Sequence, residues 1–233
     1  HVRMNKNFFI TPEYKCNYLP EKIAKSKVLM NDFNIKETFS DFLSYGYRRS
    51  GHNVYIPNCK NCNECVPIRI NISEFYLQKS HKRLLKKNKD LRFRLLPLNF
   101  DQDHFQLYQN YQNVKHPNGG MNFKNDKLYC QYLLETNVES KILEFRKDNE
   151  LKIVCIFDIG ESSLSAVYTF YDPFEKKNSL GTFSILRLIQ MGLNLDKKYL
   201  YLGYYIKTNP KMSYKVKFNS LEFLKKNQWS NSL

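Results

Sequence analysis

The sequence predicts an α+β fold built on a mixed, mainly antiparallel sheet. Three observations carry that expectation. Residues 138–146, 151–159 and 164–171 are successive strand-like runs separated by short turn signals, as an antiparallel meander requires. Residues 181–195 then place apolar side chains at helical spacing. Residues 199–206 return to a strand pattern that is unusually rich in tyrosine. With 233 residues, 42% of them hydrophobic, the chain can bury a core as one large domain or two small ones.

The elements follow in order. Residues 4–34 read as irregular, punctuated by Pro12 and Pro20; Met4 is the expected natural start, and no signal peptide is expected. Ile35 to Ser44 carries apolar residues at 35, 39, 42 and 43, a helical period, and Gly46 ends it. Tyr47 to Gly51 reads as a basic turn. Strands are expected at 54–56 and 66–72, flanking a cysteine loop. Residues 73–89 read as a helix with a very basic second half, and 91–98 alternate arginine with apolar residues, as a strand does. A boundary is expected near Pro97, dividing a domain over 4–97 with the cysteine cluster and basic helix from a domain over 98–233. Helices are expected at 101–114 and 127–136, with a loop from His116 to Met121 between them. Asp148-Asn149 and Gly160-Glu161 supply the meander turns, and Asp172-Pro173 stops the third strand.

Meander, helix and one further strand resemble the order of the N-acetyltransferase-like (GNAT-like) acyltransferase fold. There the helix start after the central strands holds the coenzyme A pyrophosphate. Ser179-Leu180-Gly181-Thr182 lacks the glycine-rich loop of that fold, so the expected donor is not acyl-coenzyme A.

Lys plus Arg number 37 against 22 Asp plus Glu, a net charge of +15. The isoelectric point of about 9.4 points to a polyanionic partner, nucleic acid first. The chain is rich in Asn, Lys and Ile and almost free of Ala, so part of the lysine excess is compositional bias and the placement of arginine is the better guide. No apolar run approaches the roughly 18 residues of a membrane helix. A cytoplasmic protein is expected.

Six cysteines occur, and in a reducing compartment structural disulfides are not expected. Cys130 and Cys155 lie in apolar runs and read as core residues. Cys59, Cys62 and Cys65, three apart in a polar loop, can converge on one ion, with Cys16 as the expected fourth ligand and His52 in reserve. A structural zinc suits that set. An iron–sulfur cluster is the alternative, although such runs continue with a fourth Cys where Val66-Pro67 stands here.

Tyr45-Gly46-Tyr47-Arg48-Arg49-Ser50-Gly51 resembles a motif of the aminoacyl-tRNA–protein transferase family. The likeness continues through Tyr55-Ile56-Pro57-Asn58-Cys59, Cys65-Val66-Pro67-Ile68-Arg69 and Ser80-His81-Lys82-Arg83. It runs on through Gly119-Gly120-Met121, Leu164 to Pro173, Tyr199 to Ile206 and Lys211-Met212-Ser213-Tyr214-Lys215, nearly the whole chain in order. The short bacterial branch, the aspartate/glutamate leucyltransferases, is the most similar. His81-Lys82 where Gln-Arg is usual and Tyr205 where Trp is usual are the departures. The resemblance implies transfer of leucine from leucyl-tRNA to an N-terminal Asp or Glu, marking the acceptor for degradation. No cofactor is implied for the transfer.

Aminolysis of an activated ester needs positioning of two substrates and handling of one proton. A cationic pocket for the acceptor carboxylate is expected from Arg48, Arg49 and Arg69, because a guanidinium binds a carboxylate through two hydrogen bonds; a tRNA phosphate contact or a surface ion pair is the other reading of each. Phosphate contacts are expected from Lys82, Arg83 and Lys86, for which a solvated helix face is the other reading, and from Lys211 and Lys215, the latter patch interleaved with Tyr204, Tyr205 and Tyr214 that either stack on the terminal adenosine or belong to the core. Asp158, Tyr168 and Asp172, on or after the central strands, are the expected proton-handling and orienting residues; turn capping is the other reading of the two aspartates. Competing readings are arginine as cargo, a non-catalytic zinc-containing RNA-binding module, and an ordinary acetyltransferase.

Overall fold

The computed structural model describes residues 8–29 and 34–233. Residues 1–7, with the expected start at Met4, and residues 30–33 lie outside the described residues.

Four short strands occupy the segment expected to be irregular: β1 (Phe8–Ile10), β2 (Tyr14–Lys15), β3 (Ile23–Ala24) and β4 (Ser26–Leu29). Runs this short have no periodicity to read; their partners define them. α1 (Ile35–Ser44) spans the predicted helix and buries Ile35, Phe39, Phe42 and Leu43. β5 (Arg48–Ser50), expected as a turn, is a strand paired with β6 (Asn53–Pro57). These strands form an antiparallel sheet in the order β1-β4-β6-β5, and β2 pairs with β3 alone.

β7 (Val66–Asn71) follows the cysteine loop. α2 (Lys79–Lys87) starts later than expected because Gln78 and His81 form a reciprocal capping box there. β8 (Arg92–Pro97) comes next, then α3 (Gln102–Lys115), where the Asp101 carboxylate caps the amides of Asp103 and His104. α4 (Asp126–Tyr129) runs into a π turn over Cys130–Leu134. The meander is β9 (Ser140–Lys147), β10 (Glu150–Ile159) and β11 (Ser163–Tyr171). Asp148 and Asn149 take φ of 49° and 68°, the paired left-handed conformation of a tight hairpin. α5 (Leu180–Asn194), β12 (Tyr199–Tyr205), a 3-10 turn over Pro210–Lys217, and the hairpin β13 (Leu221–Lys225) with β14 (Gln228–Ser230) complete the chain.

Eight strands make the central sheet, in the order β14-β13-β7-β12-β11-β10-β9-β8. Every neighbouring pair is antiparallel except β11 and β12, which α5 connects. The fold is therefore α+β with a mixed, mainly antiparallel sheet. The sheet crosses the boundary expected at Pro97: β7 precedes that residue and pairs with β12, and β8 ends on it and pairs with β9 from Arg92 to Pro97.

One face of the sheet packs on α5, which buries Leu180, Phe183, Leu186, Leu188 and Ile189 against Ile68, Ile70, Phe145 and Phe157. At about 1.5–3 kcal/mol for each fully buried side chain, this face is the largest source of stability. The other face packs Tyr108 and Phe105 of α3 and Tyr129 of α4 on Val154, Ile156 and Phe170. A third cluster joins α1 to Val54 of the small sheet and to Tyr201 of the large one.

Two buried ionic groups fix the layers. Arg49 of β5 donates to both carboxylate oxygens of Asp158 in β10 at 2.7–3.1 Å, and both side chains are almost fully enclosed. Its remaining N–H groups reach the Leu133 carbonyl at 3.3 Å and Ser140 at 3.4 Å. Glu144 of β9 is buried beneath Arg94, Arg146 and His104. Burial alone would raise its carboxyl, but hydrogen bonds from Arg146, His104 and Arg94 outweigh that and hold it down at about 2.

Removing one member of a buried pair strands the other charge, at a cost of about 3–5 kcal/mol. Asp158→Ala should therefore lower unfolding free energy by that amount in urea titration. A variant with wild-type stability that loses only activity would remove the pair from the scaffold.

Candidate active site

Parallel pairing between β11 and β12 lasts three residues, from Ser163 opposite Tyr199 to Ser165 opposite Tyr201. Beyond it the strands part. Each strand carries an extra residue at that level, shown by a register shift against its antiparallel neighbour. In β11 the shift falls at Val167, between Ala166 and Tyr168; in β12 it falls at Leu202, between Tyr201 and Gly203. Such bulges bend a strand and leave its backbone groups without a ladder partner.

Two cations satisfy the freed carbonyls. The Arg48 guanidinium donates through Nη2 to Ala166 O at 2.6 Å and to Val167 O at 3.3 Å. The Lys215 ammonium, from the 3-10 turn, donates to Leu202 O and Tyr204 O, both at 3.0 Å. Arg48 reaches the opening by crossing Gly203, whose φ is 78°; a Cβ there would stand 1.4 Å from Nη1. Only glycine fits.

Aromatic side chains from several segments close round this point. Tyr18, Tyr55, Tyr204 and Tyr214 all lie within electrostatic reach of Arg48. Burial raises each of these phenols, and Tyr214 is pushed up to about 12. Tyr204 also donates to Gly46 O at 2.9 Å. Tyr171 packs edge-on against Tyr111, which in turn meets His116 of the loop after α3.

The three expected arginines have three different fates. Arg49 is consumed by Asp158. Arg69 of β7 pairs with Glu222 at 2.5 Å and lies between Tyr199 and Trp229, 3.6 and 4.1 Å from the ring centres. Arg48 alone has no carboxylate against it among the described residues. The expected proton-handling residues are likewise separated. Asp158 is fully buried and neutralised by Arg49. Asp172 accepts from the Phe174 amide and from Lys152 Nζ, both at 3.0 Å, so it caps the turn after β11. Tyr168 takes a hydrogen bond from Gln112 of α3 and borders the opening on that side.

Lys82, Arg83 and Lys86 stand exposed on α2 without an ion pair among the described residues. Lys211 is exposed, its Nζ directed at the Lys115 carbonyl. Lys215, expected on the same phosphate track, is instead turned inward to β12 because the parted strand presents two carbonyls to it. Of the tyrosines that the sequence leaves open between stacking and core packing, Tyr204 and Tyr205 are core residues, whereas Tyr214 stays partly exposed. The missed feature is Gly203. An isolated glycine inside a strand pattern signals a bulge or a close backbone approach, and here it marks both.

Cys16, Cys59, Cys62 and Cys65 are half-buried near the opening, beside Tyr18. Burial pushes the Cys65 thiol up to about 12, helped by the nearby Cys16, Cys59 and Cys62. The donors are of the right kind for zinc or a cluster. Among the described residues, however, no set of three or more His, Cys, Asp or Glu side chains is arranged to hold an ion. His52 is exposed on the β5–β6 turn.

The class of protein, an aminoacyltransferase, follows from the sequence relatives of the chain. Family comparison gives the particular kind. Residues 14–83 match the family described as "Arginine-tRNA-protein transferase, N terminus", and residues 103–225 match its C terminus. The chain is 39% identical over 223 residues to an aspartate/glutamate leucyltransferase of Thiobacillus denitrificans, covering 95% of this chain and 93% of that protein. Proteins of the same name from Polynucleobacter necessarius and Hahella chejuensis are 39% and 38% identical, covering 97% and 95% of this chain and 92% and 95% of theirs. A solved L-PGS structure from Bacillus licheniformis is similar at a TM-score of 0.48 and 13% identity, over 75% of this chain and 51% of that one. The chain belongs to the arginine-tRNA–protein transferase family and is an aminoacyltransferase. Among the described residues no helix is long and apolar enough to cross a membrane.

Gly203→Ala should force Arg48 off β12 and strain the backbone by about 1–2 kcal/mol, lowering the melting temperature by roughly 2–8 °C. An unchanged melting curve would mean that Arg48 does not cross Gly203.

Proposed function

We propose that this chain moves leucine from leucyl-tRNA to the N-terminal Asp or Glu of acceptor proteins. The observation that carries the reading is Arg48, the one expected arginine whose guanidinium is not already matched to a carboxylate among the described residues. Its Nη2 is anchored to β11, which leaves the other N–H groups for the side chain of an acidic N-terminus. The ester carbonyl would then lie in the opening between β11 and β12, with Tyr214 as a stacking platform for the terminal adenosine. The tRNA backbone would follow Lys82, Arg83 and Lys86, with Lys211 at the mouth. No step of the transfer runs through the cysteine thiols. Leucylated acceptors would be marked for degradation in the cytoplasm.

The deciding assay offers labelled leucyl-tRNA and arginyl-tRNA, each with peptides beginning in Asp, Glu or Ala. Leucine appearing on Asp and Glu peptides alone is the expected result. Arginine in its place would change the cargo, and tRNA binding without transfer from either donor would end the enzyme reading.

Arg48→Gln should raise the acceptor KM roughly 10–100-fold, the worth of a charged hydrogen-bonded contact, and leave the KM for leucyl-tRNA nearly unchanged. Undiminished selection of Asp over Ala in that variant would move the carboxylate site elsewhere. Each lost phosphate contact lowers the slope of log affinity against log salt by about 0.7–0.9. Replacing Lys82, Arg83 and Lys86 together by glutamine should thus lower it by roughly 2–3, and an unaltered slope would take the tRNA off α2.

A further inference from the structure

We propose that Lys215 is the base that removes the proton from the acceptor's α-ammonium, a role that rests on the aminoacyl-transfer reading above. The geometry is that of an amine held for this purpose. Leu202 O and Tyr204 O each accept one Lys215 N–H at 3.0 Å. A neutral amine has two N–H groups, so both are occupied, and its lone pair takes the remaining tetrahedral position. The Lys215 side chain is half-buried in the opening where Arg48 stands.

Its surroundings favour the neutral form. Burial acts first and the Arg48 charge second, and together they push the Lys215 ammonium down to about 7. No carboxylate pairs with it among the described residues. The other titratable groups round the opening are Tyr55 on β6, Tyr168 and Tyr171 on β11, Tyr204 on β12, Tyr18 in the N-terminal loop and Tyr214 beside Lys215 itself. Burial raises all six phenols, so they remain uncharged at neutral pH. Cys65 is raised in the same way and remains a thiol. Among the described residues, Arg48 is thus the fixed charge set against Lys215.

The step balances simply. The lone pair of Lys215 takes one proton from the α-ammonium, giving a neutral α-amine and a Lys215 ammonium. The amine nitrogen bonds to the leucyl carbonyl carbon and the bond from that carbon to the tRNA 3′ oxygen breaks. The surplus proton on nitrogen leaves with that oxygen as a hydroxyl. Lys215 returns its proton to solvent. A reference α-amino pKa of roughly 7.7–8.0 lies close enough to Lys215 for the first transfer to be nearly even.

The test combines kinetics with direct titration. Lys215→Met should lower kcat by roughly 10²–10⁴-fold, the usual contribution of a positioned base, with both KM values within a few-fold. Lys215→Arg keeps N–H donors for both carbonyls but is permanently charged and cannot accept a proton, so it should lose as much. Both variants should lose the inflection expected from Lys215 near pH 7 in kcat/KM and keep only that of the acceptor's own α-ammonium at roughly 7.7–8.0. In protein labelled at lysine Cε with carbon-13, the residue 215 signal should titrate near neutrality. An active Lys215→Arg enzyme, a retained inflection near pH 7, or a residue 215 signal that titrates with the surface lysines would each overturn the assignment. If wild type transfers leucine and Lys215→Met does too, only the base falls. If wild type transfers no amino acid, the function reading falls and the base with it.

Discussion

The parting of β11 from β12 is the constraint on which the rest of this structure depends. A sheet interior cannot leave backbone carbonyls without donors. Two bulges at one level, at Val167 and Leu202, expose such carbonyls on both strands. The protein answers with a long cationic side chain on each side, Arg48 for β11 and Lys215 for β12. The gap is therefore a polar cleft with a defined shape. Arg48 and Lys215, the two side chains that repair the sheet, thus both face the cleft.

How Arg48 comes to be there follows from strand geometry. Successive residues of a strand face opposite ways. In β5, Arg49 faces the scaffold and is matched to Asp158, while Arg48 faces the cleft. The buried pair thus aims its neighbour. Two arginines adjacent in sequence have unlike surroundings because the small sheet docks through one and lines the cleft with the other. Arg69, stacked among Tyr199, Tyr201 and Trp229 and tied to Glu222, holds the far side of the sheet in place.

Much of this architecture is legible in the sequence, and the remainder is hidden for physical reasons. α1, the meander, α5 and β12 are long enough for their periodicity to show, and they stand within a residue or two of the expected positions. β1 to β4 are too short to show any. The start of α2 is set by one reciprocal cap rather than by composition. Charge is the harder case. A sequence places Arg48, Arg49 and Arg69 on equal terms, because the partners that distinguish them lie about a hundred residues or more away. Lys215 reads as one lysine among several in a basic stretch, and its inward turn is decided by carbonyls that a bulge exposes. Gly203 is the one local sign of that bulge.

β7 lies between β12 and β13, strands made after more than half of the chain has followed it. During synthesis from the N-terminus, Val66–Asn71 must therefore wait with both edges unpaired until β12 and β13 have left the ribosome. Contacts of such long sequence separation form slowly and expose strand edges meanwhile. A product that stops before β12 leaves one edge of β7 bare and the cleft without its second wall.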